Sequence, residues 1–351
     1  MPPNPFLGIV LHAIGGFAAG SFYAPLKKVR RWAWESSWLV LGVAAWLVSP
    51  WVVAYMTTPD LLGVLERSDP DVLRWTCLYG VLWGIGGLTY GLAVRYLGMA
   101  LGCTVALAFC MLFGTLIPPL RNGALAEMAA LASGRVIFAG LAVCLLGIVV
   151  CGWAGVRKDR ELTAASDDAR DQEFKLGWGL AVAVFAGVMS SCFAFGLDEG
   201  ESIAALAEAA GAQELYRNNV VLVVILVGGF TSNAIWCLIL NFRNKTFGDY
   251  ARPLDGRQAV NIGLSSLGGI VWYFQFFFYG MGTTKLGEYD FSSWSIHMAF
   301  IIVFSNLWGL YFHEWRGTSR TTKNRVWTGI LTLIGSTMVI GYGNYLAGEG
   351  M

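Results

Sequence analysis

Ten separate runs of about 20 apolar residues, each long enough to cross a bilayer as a helix, divide this chain of 351 residues. They lie at 4–26, 36–57, 73–94, 98–118, 134–154, 175–197, 217–241, 260–282, 289–312 and 326–346. With 56% hydrophobic and 13% charged residues, the chain has too little polar surface to cover a soluble globule, so it reads as an all-α membrane protein. The first charged side chain is Lys27, whereas a secretory signal carries its positive charge before the apolar run. The first run is therefore expected to stay as a helix. A net charge of +1 gives no sign of a nucleic-acid partner.

The connections orient the helices. Alternate ones carry Lys27, Lys28, Arg30 and Arg31, then Arg95, then 157–175, 243–257 and 316–325, and together hold 18 of the 24 Lys and Arg residues. By the positive-inside rule these five face the cytoplasm, which leaves both termini on the outer side of the membrane. Opposite connections are acidic, with Asp60, Glu66, Asp69 and Asp71 in one and Asp198, Glu199, Glu201, Glu208 and Glu214 in another. The AALAEAA pattern in the second suggests a short surface helix. Pro50 and the pair Pro118-Pro119 are expected to bend or stop their helices.

The chain also repeats itself. Shifting Leu78, Gly80, Trp83, Tyr90, Gly91, Leu97 and Gly98 by 189 residues lands on Leu267, Gly269, Trp272, Tyr279, Gly280, Leu286 and Gly287. The expected division is a first five-helix repeat at 1–155, a cytoplasmic linker at 156–174 and a second repeat at 175–351. Because five is odd, the second repeat enters the membrane from the other side. Inverted repeats of this kind are the architecture of alternating-access carriers.

The stretch from Trp272 to His297 concentrates the polar and aromatic groups. Trp272, Gln275, Phe276 and Tyr279 share one face of the eighth helix. A buried amide suits vicinal hydroxyls, and an aromatic face suits the C–H side of a sugar ring. The alternatives are an interhelical hydrogen bond for Gln275 and plain packing for the rings. Trp83 and Tyr90, repeat-mates of Trp272 and Tyr279, would supply a second pair. In the ninth helix Asp290, Trp294 and His297 fall at i, i+4 and i+7, a route by which a proton could pass from carboxylate to imidazole; the alternative for Asp290 is an N-cap. His12, mid-way along the first helix, is either a packed histidine or a cavity group. Asn218, Asn219 and Asn306 are weaker candidates. The basic run beside Trp32, Trp34 and Trp38 reads as an interface anchor, with a cytoplasmic gate between Lys27 or Lys28 and Glu35 or Glu314 as the alternative.

No HExxH, Walker loop, nucleophile elbow or CxxC pair is present, and there are only three histidines. An enzyme, a metal centre and an organic cofactor are therefore not expected. A cation held by His12, His297 and Asp290 is the remaining alternative.

The segments FYAPLKKVRRWAWESSW, WGIGGLTYGLAVRYLGMALG, GTLIPP, LSSLGGIVWYFQFFFYGMG, EYDFSSWSIHMAF and HEW resemble the L-rhamnose-proton symporter family of the drug/metabolite transporter superfamily. The resemblance covers nearly the whole chain. It implies ten helices in two inverted five-helix repeats and uptake of L-rhamnose, or a related deoxysugar, together with a proton. Residues matching the family motifs include Tyr23 besides His12, Trp83, Tyr90, Trp272, Gln275, Tyr279 and Trp294, which are expected to line the sugar site. Asp290, His297 and His12 are expected to handle the proton, and Lys27, Lys28, Glu35 and Glu314 to form the gate. The segment 193–237 departs from the family pattern, which bears on the choice of sugar. An exporter or exchanger of the same architecture is the rival expectation.

Overall fold

The computed structural model describes residues 4–121, 123–164, 176–251 and 256–350. Among the described residues, ten helical stretches are long and apolar enough to cross a membrane. We label them α1 (Pro5–Leu26), α2 (Trp34–Thr57), α3 (Pro70–Leu97), α4 (Met99–Arg121), α5 (Ala132–Thr163), α6 (Leu176–Ala209), α7 (Glu214–Asn244), α8 (Gly256–Thr283), α9 (Tyr289–Tyr311) and α10 (Arg320–Gly348). Each overlaps one of the ten apolar runs, α6 extending past its run to take in the short helix Glu201–Ala209 of the acidic connection. The described residues contain no strand.

Where helix ends differ from expectation, local chemistry explains the difference. The helix of α5 continues to Ala164, because Arg157, Lys158, Arg160 and Glu161 are good helix formers and neither Gly nor Pro interrupts them. The first part of the expected linker is thus helical, and 165–175 lie outside the described residues. Pro118 and Pro119 sit in the last turn of α4, and the helix runs only to Arg121. Pro50 does not stop α2. Ahead of it, Val43–Val48 adopt a π-helix in which the Ser49 N–H bonds the Ala44 carbonyl five residues back, and α-helix then resumes over Ser49–Thr57. Proline brings no N–H of its own, and the wider turn carries the chain past that gap. The acidic connection contains the short helix Glu201–Ala209, which buries Ile203, Ala204 and Ala207 on one face.

Two compact units make up the chain, and each draws on both halves of the sequence. The first comprises 1–17, 86–194 and 282–351, and the second 18–85 and 195–281.

In the first unit α5 packs along α10. A Cβ on Gly140 would come within 2.6 Å of Ile340, one on Gly147 within 2.8 Å of Leu333, and one on Gly329 within 2.4 Å of Cys151. Small residues thus let these backbones close, which in lipid replaces the hydrophobic force. Ile9, Ile137, Leu286, Ile296, Phe300 and Ile340 belong to the buried core beside them. Gly98 and Gly287, a repeat-aligned pair, both take left-handed backbone angles (φ 79° and 71°), and each follows a buried leucine, Leu97 or Leu286. Only glycine adopts that conformation without strain.

In the second unit α7 packs against α2, and glycines of α3 and α7 each meet the backbone of the other helix. A Cβ on Gly80 would lie 2.0 Å from the Ile225 carbonyl oxygen, and one on Gly228 would lie 2.1 Å from that of Cys77. Trp46, Leu222, Ile225 and Leu226 are fully buried.

Candidate functional site

Six aromatic rings from α1, α2, α3 and α8 meet in the second unit. Trp272 stacks on Phe22 with centroids 4.4 Å apart and meets Trp38 and Trp46 edge to face at 5.2 and 5.1 Å. Trp83 meets Trp46 at 5.9 Å and Phe276 at 5.4 Å, both edge to face. The expected pair Trp83 and Trp272 therefore belongs to one cluster, bridged by Trp46. Such edge-to-face contacts suit the quadrupoles of the rings and hold them rigidly. The π-helical turn places Trp46 here, and Gly42 leaves room for its six-membered ring, since a Cβ at 42 would lie 2.9 Å from it. Trp38 is fixed by its indole N–H, which donates to Asn233 Oδ1 at 3.1 Å.

Gln275 lies on the same helix as Trp272 and next to Phe276. It is only 5% exposed, yet no described residue bonds its side-chain amide. Its amide atoms are not fully enclosed, so they stay open to water or to a ligand. Tyr279 is buried one turn further on. Tyr23, by contrast, is 43% exposed and touches the cluster only through Phe22, at 5.8 Å.

The first unit brings the two membrane histidines together. His12 of α1 and His297 of α9 are buried, with ring centroids 5.8 Å apart and planes at 62°. Gly282 makes room, since a Cβ there would lie 2.8 Å from the His12 ring. Asp290 is half-buried and does not share an α-helical face with His297. It sits in a 3-10 segment, Gly287–Ser292, whose Tyr289 has non-helical angles, and the α-helix starts only at Ser293 with Ser292 as its N-cap. The i, i+4, i+7 spacing thus breaks at its first member, and Asp290 is not the cap. Among the described residues, no group of three or more His, Cys, Asp and Glu could hold a metal ion.

Trp294 is committed to packing. Its Nε1 donates to the Cys110 carbonyl at 3.0 Å, its ring stacks on Phe193 at 5.8 Å, and Gly114 accommodates it. Tyr90 is half-buried beside Ala93, Ala106 and Ala186. The asparagines are also spoken for: Asn218 donates to the Gly280 carbonyl, Asn219 to Thr57 and Asn306 to the Ile302 carbonyl.

Of the expected gate, Lys27, Lys28 and Glu314 are exposed. Glu35 is 5% exposed and pairs with neither lysine, because neutral donors already meet it: Asn244 Nδ2 and Thr246 Oγ1 each donate to Oε1 at 2.9 Å. It belongs to a polar clamp between the α1–α2 and α7–α8 connections. There Asp249 Oδ2 accepts from the Ala33 N–H and the Ser36 hydroxyl, both at 2.9 Å, and Asn261 both accepts from and donates to the Arg30 backbone. Tyr250 accepts from Asn241 at 3.1 Å, and burial pushes its phenol above the ordinary range.

Sequence reading missed Phe22, Trp38 and Trp46 as members of the aromatic cluster. The spacing of Trp38 and Trp46, eight residues apart, carried a signal that regular helical counting obscures, because the π-turn shifts the register between them.

Comparisons with known proteins give these residues a context. The model of the family described as L-rhamnose-proton symport protein matches residues 1–346. The chain is 36% identical over 343 residues to the L-rhamnose-proton symporter of Cronobacter sakazakii, covering 96% of this chain and 97% of the relative. It is 34% identical over 340 residues to that of Mannheimia succiniciproducens and over 343 residues to that of Yersinia pestis, with the same coverages of 96% and 97%. With ten membrane-length helices and a match along nearly its whole length, the chain belongs to the L-rhamnose-proton symporter family, a family of transporters rather than enzymes.

Proposed function

We propose that this protein imports L-rhamnose together with a proton by alternating access. The observation that carries the reading is Gln275, whose amide no described residue bonds, beside an aromatic wall. A 6-deoxysugar offers complementary chemistry, with vicinal hydroxyls for the amide and a methyl group and C–H face for Trp272, Trp83 and Phe276. Tyr279, buried one turn beyond Gln275, and Tyr23, in contact with Phe22, adjoin this wall, whereas Tyr90 and Trp294 belong to the first unit. The methyl group against aromatic carbon would distinguish rhamnose from sugars carrying a hydroxyl at that carbon.

His12 and His297 carry the proton in this reading, and Asp290 in its 3-10 segment passes it to or from the water outside. A protonated imidazole pair and a bound sugar each favour the same conformation, so each strengthens the other's binding, and that reciprocity is what symport requires. The cytoplasm faces the connections rich in Lys and Arg, the termini lie in the periplasm, and the two five-helix repeats are inverted. No organic cofactor takes part.

The test is the pH of a weakly buffered suspension of energy-depleted cells when L-rhamnose is added. Alkalinisation that depends on the protein, and that Gln275→Leu abolishes at low sugar, is the expected outcome. Entry of radiolabelled rhamnose without any pH change would refute proton coupling.

A further inference from the structure

A second, unrelated site lies in the first unit, where the end of α5 meets the start of α10. A cavity of about 370 Å³ is lined by Trp153, Arg157, Arg160, Glu161 and Arg325. We propose that it binds the phosphate of an anionic phospholipid from the leaflet at this end of the helices.

Charge is the first reason. Three guanidinium groups face one carboxylate, and that carboxylate is largely used elsewhere. Glu161 accepts from the Ser319 N–H at 2.7 Å, the Ser319 hydroxyl at 2.9 Å and the Thr322 hydroxyl at 2.7 Å, which together cap α10. Its contact with Arg157 is longer, at 3.7 Å. Arg160 is exposed and has no ion pair among the described residues. The site thus retains an excess of positive charge.

Arg325 points to the ligand. Its guanidinium sits 4.4 Å from the centre of the Trp153 ring, a cation–π contact that fixes its plane. Its Nη1 is buried and finds no acceptor among the described residues. A guanidinium held flat by an indole, with a buried N–H edge left unsatisfied, is arranged for an oxyanion bound through two parallel hydrogen bonds. Phosphate is such an anion.

The surroundings select a lipid over free phosphate. Trp153 is 57% exposed; Val149 and Leu146, about one and two turns before it on the same helix, and Leu331 on α10 are exposed apolar residues as well. Acyl chains would lie along that surface with the headgroup in the arginine cluster. Basic pockets between helices at the cytoplasmic end of membrane proteins recognise anionic lipids through this combination. A zwitterionic headgroup brings its own ammonium into the cluster and loses part of the attraction.

The test uses the purified full-length protein in detergent, titrated with phosphatidylglycerol or phosphatidylethanolamine and read by native mass spectrometry. Wild type should bind phosphatidylglycerol at least about tenfold more tightly than phosphatidylethanolamine. The variant Arg157→Gln/Arg325→Gln should lose that preference, at about fivefold per arginine, the factor that roughly 1 kcal/mol per basic residue gives. If the double variant does not fold, Arg160→Gln, which removes an exposed side chain, should still weaken phosphatidylglycerol binding several-fold. Excess inorganic phosphate should not displace the lipid; displacement at matched concentration would mean a free-anion site and overturn the lipid assignment. Equal binding of the two lipids by wild type, or an undiminished preference in the variants, would overturn it as well.

Discussion

Gln275 and the two histidines make separable demands. Replacing Gln275 with Leu keeps the volume and removes the amide. Because no described residue bonds that amide, thermal stability in detergent should hold, while rhamnose affinity should fall about tenfold, the worth of one or two neutral hydrogen bonds. A large loss of stability with unchanged affinity would make Gln275 a packing residue. His297→Gln should retain rhamnose exchange between equal pools but lose accumulation against a gradient, because the imidazole pair at 5.8 Å no longer holds a proton. Trp294 behaves differently. Trp294→Phe should lower stability by about 1 kcal/mol through loss of the bond to the Cys110 carbonyl, with little effect on sugar affinity. Its buried place on α9 was legible in the sequence. Its use of the indole N–H was not, because the acceptor is a backbone carbonyl of α4 that no side-chain pattern announces.

Among the elements, α2 and the clamp beside it carry the strongest expectations. Pro50→Ala restores an N–H just beyond the π-turn and favours ordinary α-helix over 43–48. Closing that turn rotates one part of the helix against the other by about 100°, the advance of one residue. Trp46 should then leave the aromatic cluster, seen as a shift in tryptophan emission together with weaker rhamnose binding; unchanged emission and affinity would show that the π-turn is not what holds Trp46. Glu35→Ala removes two charge-assisted hydrogen bonds from a buried carboxylate and should destabilise the protein by roughly 2–4 kcal/mol, measured as a lower midpoint of thermal denaturation. The existence of each helix was readable from apolar length alone, since a spanning helix has no other way to satisfy its backbone in lipid. Departures from regular helix were not readable. Hydrophobic length is indifferent to whether a turn closes at three, four or five residues, so the 3-10 segment under Asp290 and the π-turn under Trp46 left no mark in the apolar pattern.

At the scale of the whole molecule, the offset of 189 residues aligns Trp, Tyr-Gly and Leu-Gly positions, and of these Gly98 and Gly287 share a left-handed backbone. The two compact units do not follow the midpoint of the chain, and no local pattern foretold this, because residues far apart in sequence decide which helices pack together. Gly80 and Gly228 show how narrow the tolerance is. A methyl group at either would press on a carbonyl oxygen of the facing helix, so Gly228→Ala should sharply reduce the yield of folded protein. Function at this scale rests on coupling between sugar and proton. The most direct measurement is uptake of radiolabelled L-rhamnose into proteoliposomes with an imposed pH gradient, acid outside. Symport predicts accumulation above the external concentration that a protonophore collapses to equilibrium; entry that only equilibrates, at the same rate with and without the gradient, would contradict it.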